Sequence, residues 1–345
     1  MQEKRAKNAT IIDVANLAGV SKATASRVIN NLSGVSREME ERVRMAVKAL
    51  NYHPNTLARA LKVKKTKSIG LIVPTIENTV FAQLTTTIEK KADTYGFSLV
   101  LCNSQGLLEN EIKYVNLLID KQVDGMIFDA MGQYDKRFAA IRDYGIPTVW
   151  IGKKIDGIDA PIVTSDNFLG GYTATMHLVR TGCRCVAFLA ARTDSYTAIE
   201  DRYRGYCKAL SEAGIPEDKD LAVLKRLDYE ESYGETGILI RNRPGIDGIF
   251  AANDVVAAGC LKRLLQEGVS IPGEISIIGY DDTDLSKMII PQLSSVKNPV
   301  EAMGIQAVKM LLSMIYTGKS IKTERVFQPV MLLRETTKPL KEIKE

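Results

Sequence analysis

Two sets of side chains in this sequence have types and positions that could do chemistry. The first is Lys22, Ala23 and Arg27, which share the outer face of the segment Lys22-Ala-Thr-Ala-Ser-Arg-Val-Ile29. Short and basic side chains at the start of a helix can reach base edges and phosphates in the major groove of a DNA duplex. The second set is Phe81, Lys153, Arg202, Asn253 and Asp281, which follow apolar, strand-like runs. In open α/β sheets, ligands bind beyond the carboxyl ends of the strands. An aromatic face, a planar guanidinium and a carboxylate together suit a polyhydroxylated ring, which has apolar faces and vicinal hydroxyls.

The elements that must hold the first set are short helices. Thr10 is placed to cap a helix, and Asp13 three residues later completes a capping box. Val14, Ala15 and Ala18 make its inner face, and Gly19 supplies the positive φ needed to leave it sharply. Ser21 can cap a second helix with Ala25, Val28 and Ile29 inside. A third, capped by Ser36, places Met39, Val43, Ala46, Val47 and Leu50 on one face. Two short helices around a Gly-containing turn have the shape of a DNA reader; an ordinary helical hairpin with solvated lysines shares the pattern.

Charge distribution favours the first alternative. Residues 1–67 carry a net +9 while the whole chain is +5, so the remaining residues are at −4. Positive charge confined to one end is the footprint of a DNA-binding headpiece on an acidic body. Pro54 then ends the third helix. Asn55 can cap a helix from Thr56 to Leu61 that is too short to be stable alone. Lys62, Lys64, Lys65 and Lys67 make the following stretch an extended linker.

The run T-I-x-D-V-A-x-x-A-G-V-S-x-x-T-x-S-R-V-I-N over residues 10–30, with the N-Y-x-P-N-x-x-A-R-x-L signature over residues 51–61, resembles the lactose-repressor/galactose-repressor family of bacterial transcription regulators. One departure is Ala25, where that family usually has Val. The resemblance implies that Lys22, Ala23 and Arg27 read bases, and that Ser21, Thr24, Ser26 and Asn30 contact phosphate or brace the helix. It places Leu61 as a wedge in the minor groove at the operator centre, flanked by Arg59 and Lys62 on the backbone. Thr10 and Asn55 join that DNA-binding set as cap residues. It also implies effector contacts at Phe81, Arg202, Asn253 and Asp281.

From Lys67 onward the chain alternates apolar strands with amphipathic helices. Expected strands are Ile69–Val73, Ser98–Cys102, Gly125–Phe128, Thr148–Ile151, Val186–Ala190, Gly248–Ala251 and Ile275–Ile278. Most are continuous apolar runs, as buried parallel strands are. Expected helices are Phe81–Tyr95, Glu111–Lys121, Gly170–Arg180, Arg202–Ala213, Val255–Glu267 and Ala302–Tyr316. Such a stretch exceeds one ordinary doubly wound domain.

The expected fold class is α/β: a helix-turn-helix headpiece (residues 8–54), a hinge helix and linker (55–67), and a periplasmic-binding-protein-like core of two doubly wound α/β lobes (68–340). The first lobe would comprise 68–164 plus 296–323, the second 165–295 plus 324–340, with crossings near Ser165, Ser295 and Thr323. Asn253 and Asp254 equally suit the N-cap of Val255–Glu267. Lys153, at the cleft mouth, suits a ligand carboxylate or phosphate, which would make the effector a sugar acid or sugar phosphate.

Enzyme motifs are absent. The chain has two histidines, His53 and His177, and no G-x-G-x-x-G, P-loop, G-x-S-x-G or H-E-x-x-H. Gly170-Gly171 opening a helix lacks the rest of a phosphate-loop fingerprint. Cys183-Arg-Cys185 has no second pair to complete a zinc set among five cysteines. No cofactor or metal is implied. No secretory signal precedes the headpiece, which points to the cytoplasm and away from a periplasmic carrier. The tail after Leu333 has no heptad seam such as tetramerising members of that family use, so the resemblance implies a homodimer on a pseudo-palindromic operator. The sequence therefore suggests a repressor of a carbohydrate operon, with a sugar, sugar acid or sugar phosphate as effector. The alternative is a transport protein or enzyme carrying a vestigial headpiece.

Overall fold

The computed structural model describes residues 9–52, 66–129, 138, 141, 143–152, 160–191, 197–225 and 227–340. The expected hinge helix, together with His53, Asn55, Arg59, Leu61, Lys62 and Lys153, lies outside the described residues. The chain divides into two units, Met1–Thr66 and Lys67–Glu345.

The first unit contains α1 (Ile11–Ala18), α2 (Lys22–Ile29) and α3 (Arg37–Ala49). The capping box is formed: the Asp13 amide donates to Thr10 Oγ1 at 3.3 Å and the Thr10 amide to Asp13 Oδ2 at 2.8 Å. Gly19 closes α1 at φ 62°, and Arg42 of α3 donates to the Gly19 carbonyl at 3.2 Å. That bond fixes the turn against the third helix. The core is built of small residues: Val14, Ala15, Ala18, Ala25, Val28, Val43 and Ala46. Met39, expected on the inner face of α3, is instead 43% exposed. It sits in the first turn of α3, outside the cluster of buried residues.

The second unit is built on two six-stranded sheets. Its elements in order are β1 (Ser68–Val73), α4 (Thr79–Asp93), β2 (Ser98–Asn103), α5 (Leu108–Asp120), β3 (Gly125–Asp129), β4 (Thr148–Ile151), β5 (Ile162–Ser165) and α6 (Asn167–Arg180). There follow β6 (Val186–Ala191), α7 (Thr197–Glu212), β7 (Ala222–Lys225), α8 (Tyr229–Asn242), β8 (Gly248–Ala251), α9 (Asp254–Gln266) and β9 (Ser276–Asp281). The last are α10 (Leu285–Met288), β10 (Ser294–Lys297), α11 (Val300–Thr317), β11 (Glu324–Phe327) and β12 (Val330–Leu332).

The first sheet has the order β11-β5-β4-β3-β1-β2 and is wholly parallel. The second has the order β12-β10-β9-β8-β6-β7, parallel except for β12 against β10. Each sheet is covered on both faces, which is why its central strands are apolar throughout. In the first lobe, α4 and α11 bury Leu84, Ile88, Ala307 and Leu311 on one face. On the other face Phe128, Phe138 and Trp150 pack edge to face, with centroids 4.4–6.0 Å apart. In the second lobe, α9 lays Leu261 and Leu264 over Ile249 and Ile277, while Tyr206 of α7 packs opposite against Phe188, Phe250 and Tyr280.

The lobe boundaries expected from the sequence need correction. β10 continues in the second sheet to Lys297, so the second crossing falls at Asn298-Pro299 rather than at Ser295. Glu324–Phe327, assigned to the second lobe, pairs with β5 in the first sheet, and the third crossing falls at Gln328-Pro329. β11 is an edge strand whose Glu324, Arg325 and Val326 are exposed, so it lacks the apolar run that marks a buried strand. β5, β7 and β10, of four residues each, and β12, of three, are not among the expected elements, nor are α8 and α10.

Gly170 and Gly171 serve packing rather than phosphate binding. A Cβ on Gly171 would strike the backbone carbonyl of Arg202, and one on Gly205 the carbonyl of Phe168. The backbones of α6 and α7 thus touch, and this contact sets the position of Arg202. Gly171→Ala is expected to destabilise the core by about 2–3 kcal/mol, because the clash is with backbone that cannot rotate away. Urea denaturation would register this as a lower midpoint, and an unchanged midpoint would contradict the packing described.

Candidate functional site

The headpiece presents one polar face. Ser21 caps α2 by accepting from the Thr24 amide at 3.0 Å, and its hydroxyl lies 2.9 Å from Thr24 Oγ1. Asn30 closes the other end by donating to the Ser26 carbonyl at 2.7 Å. Ser21, Thr24 and Asn30 therefore brace the helix, as Thr10 braces α1. Between them Lys22, Ala23 and Arg27 are exposed, with Ser26 partly so. Arg27 donates to the Ser33 carbonyl at 3.1 Å, which holds the guanidinium along the helix surface.

In the second unit, the carboxyl ends of the two sheets meet at a cavity of about 210 Å³. Phe81, Arg202, Asn253 and Asp281 all line it. Phe81 comes from the first turn of α4, which Asn78 caps by accepting from the Val80 amide at 3.0 Å. Arg202 comes from α7 and Asp281 from the end of β9. Asn253 caps α9, accepting from the Val256 amide at 2.8 Å, so cap and cavity wall coincide in one residue. Lys153 follows Gly152, which lines the cavity, but lies itself outside the described residues.

Arg202 is the most constrained side chain here, at 5% exposure. Its guanidinium carbon stands 3.5 Å above the Tyr280 ring. Nε donates to Asn167 Oδ1 at 2.9 Å, and Nη1 to the Ala252 carbonyl at 2.6 Å. Nη2 lies 3.7 Å from Asp281 Oδ1. Burial pushes the Asp281 carboxyl above its ordinary range, while the Arg202 charge and a 3.2 Å hydrogen bond from Asn298 Nδ2 pull it back. Asp281 also holds φ at +97°, a conformation costly for a non-glycine residue that persists because its surroundings over-determine it.

Behind Asp281 lies a second buried network. Asp254 accepts from the Thr283 amide at 2.7 Å, from Thr283 Oγ1 at 2.9 Å and from Ser295 Oγ at 2.6 Å. Burial first, and the charge of Asp281 second, push its carboxyl up to about 7. Arg334 pairs with Asp282 and donates to the Leu293 carbonyl at 2.6 Å, tying the C-terminal segment to the loop after β9.

Several cavity residues escaped the sequence reading. Asp129 ends β3, and the strand-end rule that selects Phe81 would have found it. Asn167 and Asn298 follow β5 and β10, strands too short and polar to be seen. Asn298 Oδ1 is buried without a hydrogen-bond partner among the described residues. His177 is buried on α6, where desolvation lowers its pKa, consistent with packing. Among the described residues no group of His, Cys, Asp and Glu is arranged to hold a metal.

Residues 10–55 match the family described as bacterial regulatory proteins, lacI family, and residues 175–337 match the periplasmic binding protein-like domain. The ribose operon repressor of Halalkalibacterium halodurans is 38% identical over 330 residues, spanning 95% of this chain and 97% of that protein. The chain belongs to the lacI family of bacterial regulatory proteins. Among solved structures, the lac repressor dimer bound to operator and the anti-inducer ONPF superposes with a TM-score of 0.86 at 27% identity, covering 96% of this chain and 99% of that one. A LacI family regulator from Enterococcus faecium with bound ribose superposes with a TM-score of 0.72 at 30% identity, covering 79% of this chain and all of that one.

Asp129 gives this regulator a pH signature. It is buried, and desolvation together with the charge of Glu111 pushes its carboxyl up to about 7. A carboxyl raised in the folded state leaves the native protein holding more protons than the unfolded chain, so its stabilising effect is complete at low pH and lost as pH rises through about 7. The ligand-free protein should therefore lose stability between about pH 4 and 7, and Asp129→Asn should make that slope shallower, the remainder belonging to Asp254, which is also pushed up to about 7. At pH 8 the variant is expected to exceed the parent by roughly 2–4 kcal/mol. Chemical denaturation at stepped pH measures this, and identical slopes would remove the assignment.

Proposed function

We propose that this regulator is a homodimeric repressor of a carbohydrate-utilisation operon whose operator affinity is set by a sugar bound between the two lobes of its core. The observation that carries the reading is the presence, on one chain, of an exposed basic helix face and a cavity walled by both sheets into which Arg202, Asn253 and Asp281 converge. Lys22, Ala23 and Arg27 contact base edges, Ala23 offering a methyl for apolar contact with thymine, while Ser21, Thr24, Ser26 and Asn30 fix α2 against the phosphates. Residues 55–67 form the hinge between headpiece and core, with Leu61 as wedge and Arg59 and Lys62 on the backbone. A dimer presents two headpieces to the halves of a pseudo-palindromic site.

The reaction is binding alone, with no bond made or broken. A ring hydrogen-bonded to first-lobe and second-lobe groups at once stabilises one lobe arrangement over the other. That differential affinity shifts the population and with it the headpiece spacing. The ribose-bound relative and the ribose operon repressor support a sugar as effector. A role on chromosomal DNA supports a cytoplasmic location; no helix among the described residues is long and apolar enough to cross a membrane.

Fluorescence anisotropy with operator DNA tests the reading. Arg27→Ala should weaken specific binding by about 10–100-fold while leaving weak, salt-dependent binding to unrelated DNA in place. Arg202→Ala should keep operator binding and abolish the response to sugar. A wild-type protein indifferent to every promoter fragment, with or without sugars, would overturn the proposal.

A further inference from the structure

We propose that the loop after α2 belongs to the base-reading apparatus: the Ser33 carbonyl holds the Arg27 guanidinium where it selects a guanine, and Gly34 leaves the room that this requires. This rests on reading α2 as the helix that enters the major groove, and adds the base that Arg27 selects and the residues that position it.

The loop folds back onto Arg27 through both main chain and side chain. Asn31 adopts a left-handed conformation at φ 52°, which reverses the chain. The Asn31 amide donates to the Val28 carbonyl at 3.0 Å, and the Leu32 amide to the Arg27 carbonyl at 2.9 Å. Nη2 of Arg27 then donates to the Ser33 carbonyl at 3.1 Å, so this residue is tied to the loop at two points. The far end of the loop is anchored as well. Val35 packs against the buried cluster of the headpiece, and Ser36 caps α3 by accepting from the Met39 amide at 3.5 Å. Gly34 stands between these anchors at φ 94°. A Cβ there would lie 3.3 Å from Nη2 and 3.8 Å from the guanidinium carbon. A side chain at this position therefore pushes the guanidinium off the carbonyl or opens the loop, and either movement shifts the arginine relative to α2.

The hydrogen-bond count leaves Arg27 able to read. A guanidinium carries five N–H donors in a rigid fork, and the Ser33 carbonyl takes one of them. The rest suffice for a bidentate pair with O6 and N7 of guanine, the one base that shows two acceptors in the major groove. The carbonyl contributes in two ways. It orders, before DNA arrives, a long side chain that would otherwise lose its rotamer freedom on docking, a loss of about 2–10-fold in affinity. It also restrains the guanidinium from swinging to a phosphate, where it would add affinity and no sequence information. A held arginine discriminates between bases where a free one only attracts the duplex. Lys22 lies in the first turn of α2 whereas the loop follows the last, so the base pair that Lys22 reads is an internal reference.

Selection of the full-length protein on a randomised duplex library, read by sequencing, yields a preference at every base pair and needs no known operator. The proteins compared are wild type, Arg27→Ala, Gly34→Ala, Gly34→Asn and Ser33→Ala. Asn tolerates positive φ, so Gly34→Asn separates crowding of the guanidinium from backbone strain and decides the matter should Gly34→Ala fail to fold. Wild type is expected to prefer guanine by roughly 5–150-fold at one base pair of each half-site, and Arg27→Ala to lose that preference. Both Gly34 variants should reduce it at least about threefold while the base pair read by Lys22 keeps its preference. Ser33→Ala, which retains the carbonyl, should match wild type. A merely structural defect lowers every position together, so an even loss in the Gly34 variants would overturn the inference, as would profiles identical to wild type. Neither result touches the reading of α2 as the base-reading helix. That reading fails separately, if Arg27→Ala changes no position.

Discussion

The core of this regulator depends on where one guanidinium is held. A buried cation is tolerable only when its charge and its donors are answered within the protein. Arg202 is answered from four directions, by the Tyr280 ring, Asn167, the Ala252 carbonyl and Asp281. Those groups come from β9, the start of α6 and the end of β8. The arginine therefore fixes the relative positions of the elements that floor the cavity. The touching backbones of α6 and α7 at Gly171 and Gly205 act to the same end, because a side chain at either glycine would push Arg202 out of register. Asp281, at φ +97°, is the residue of this group that carries backbone strain.

A second constraint is the covering of both sheets on both faces. It makes the central strands apolar and confines polar chemistry to their carboxyl ends, where each chain segment turns outward. The two sheets contribute different partners to one cavity: Asp129 and Phe81 from the first lobe, Arg202, Asn253 and Asp281 from the second. The crossings at Asn298-Pro299 and Gln328-Pro329 carry the chain between lobes through prolines, which cannot donate to a sheet ladder and so end the strands there. Asn298, at one crossing, touches Asp281 directly, so the connection between lobes is also part of the cavity wall. The headpiece works by contrast with almost no interior: Val and Ala residues let three short helices approach closely, and hydrogen-bonded caps at Thr10, Ser21 and Ser36 supply order that a larger core would otherwise provide.

The sequence by itself determined the headpiece almost to the residue, along with the alternation of strands and helices in the core. Caps, turns and apolar runs are local signals, and Thr10, Asp13, Gly19 and Ser21 carry their own instructions. It also placed Phe81, Arg202, Asn253 and Asp281 at strand ends or on the helices that follow them. Tertiary structure alone decided which lobe the edge strands join, because Glu324–Phe327 earns its place by pairing with β5 and not by its own composition. It alone decided that Asp129, Asn167 and Asn298 share the cavity, since they lie far apart in the chain and two of them follow strands too polar to announce themselves. The charge balance of the cavity belongs there as well: whether an arginine is free for a ligand or already satisfied depends on neighbours that only folding brings within hydrogen-bonding distance.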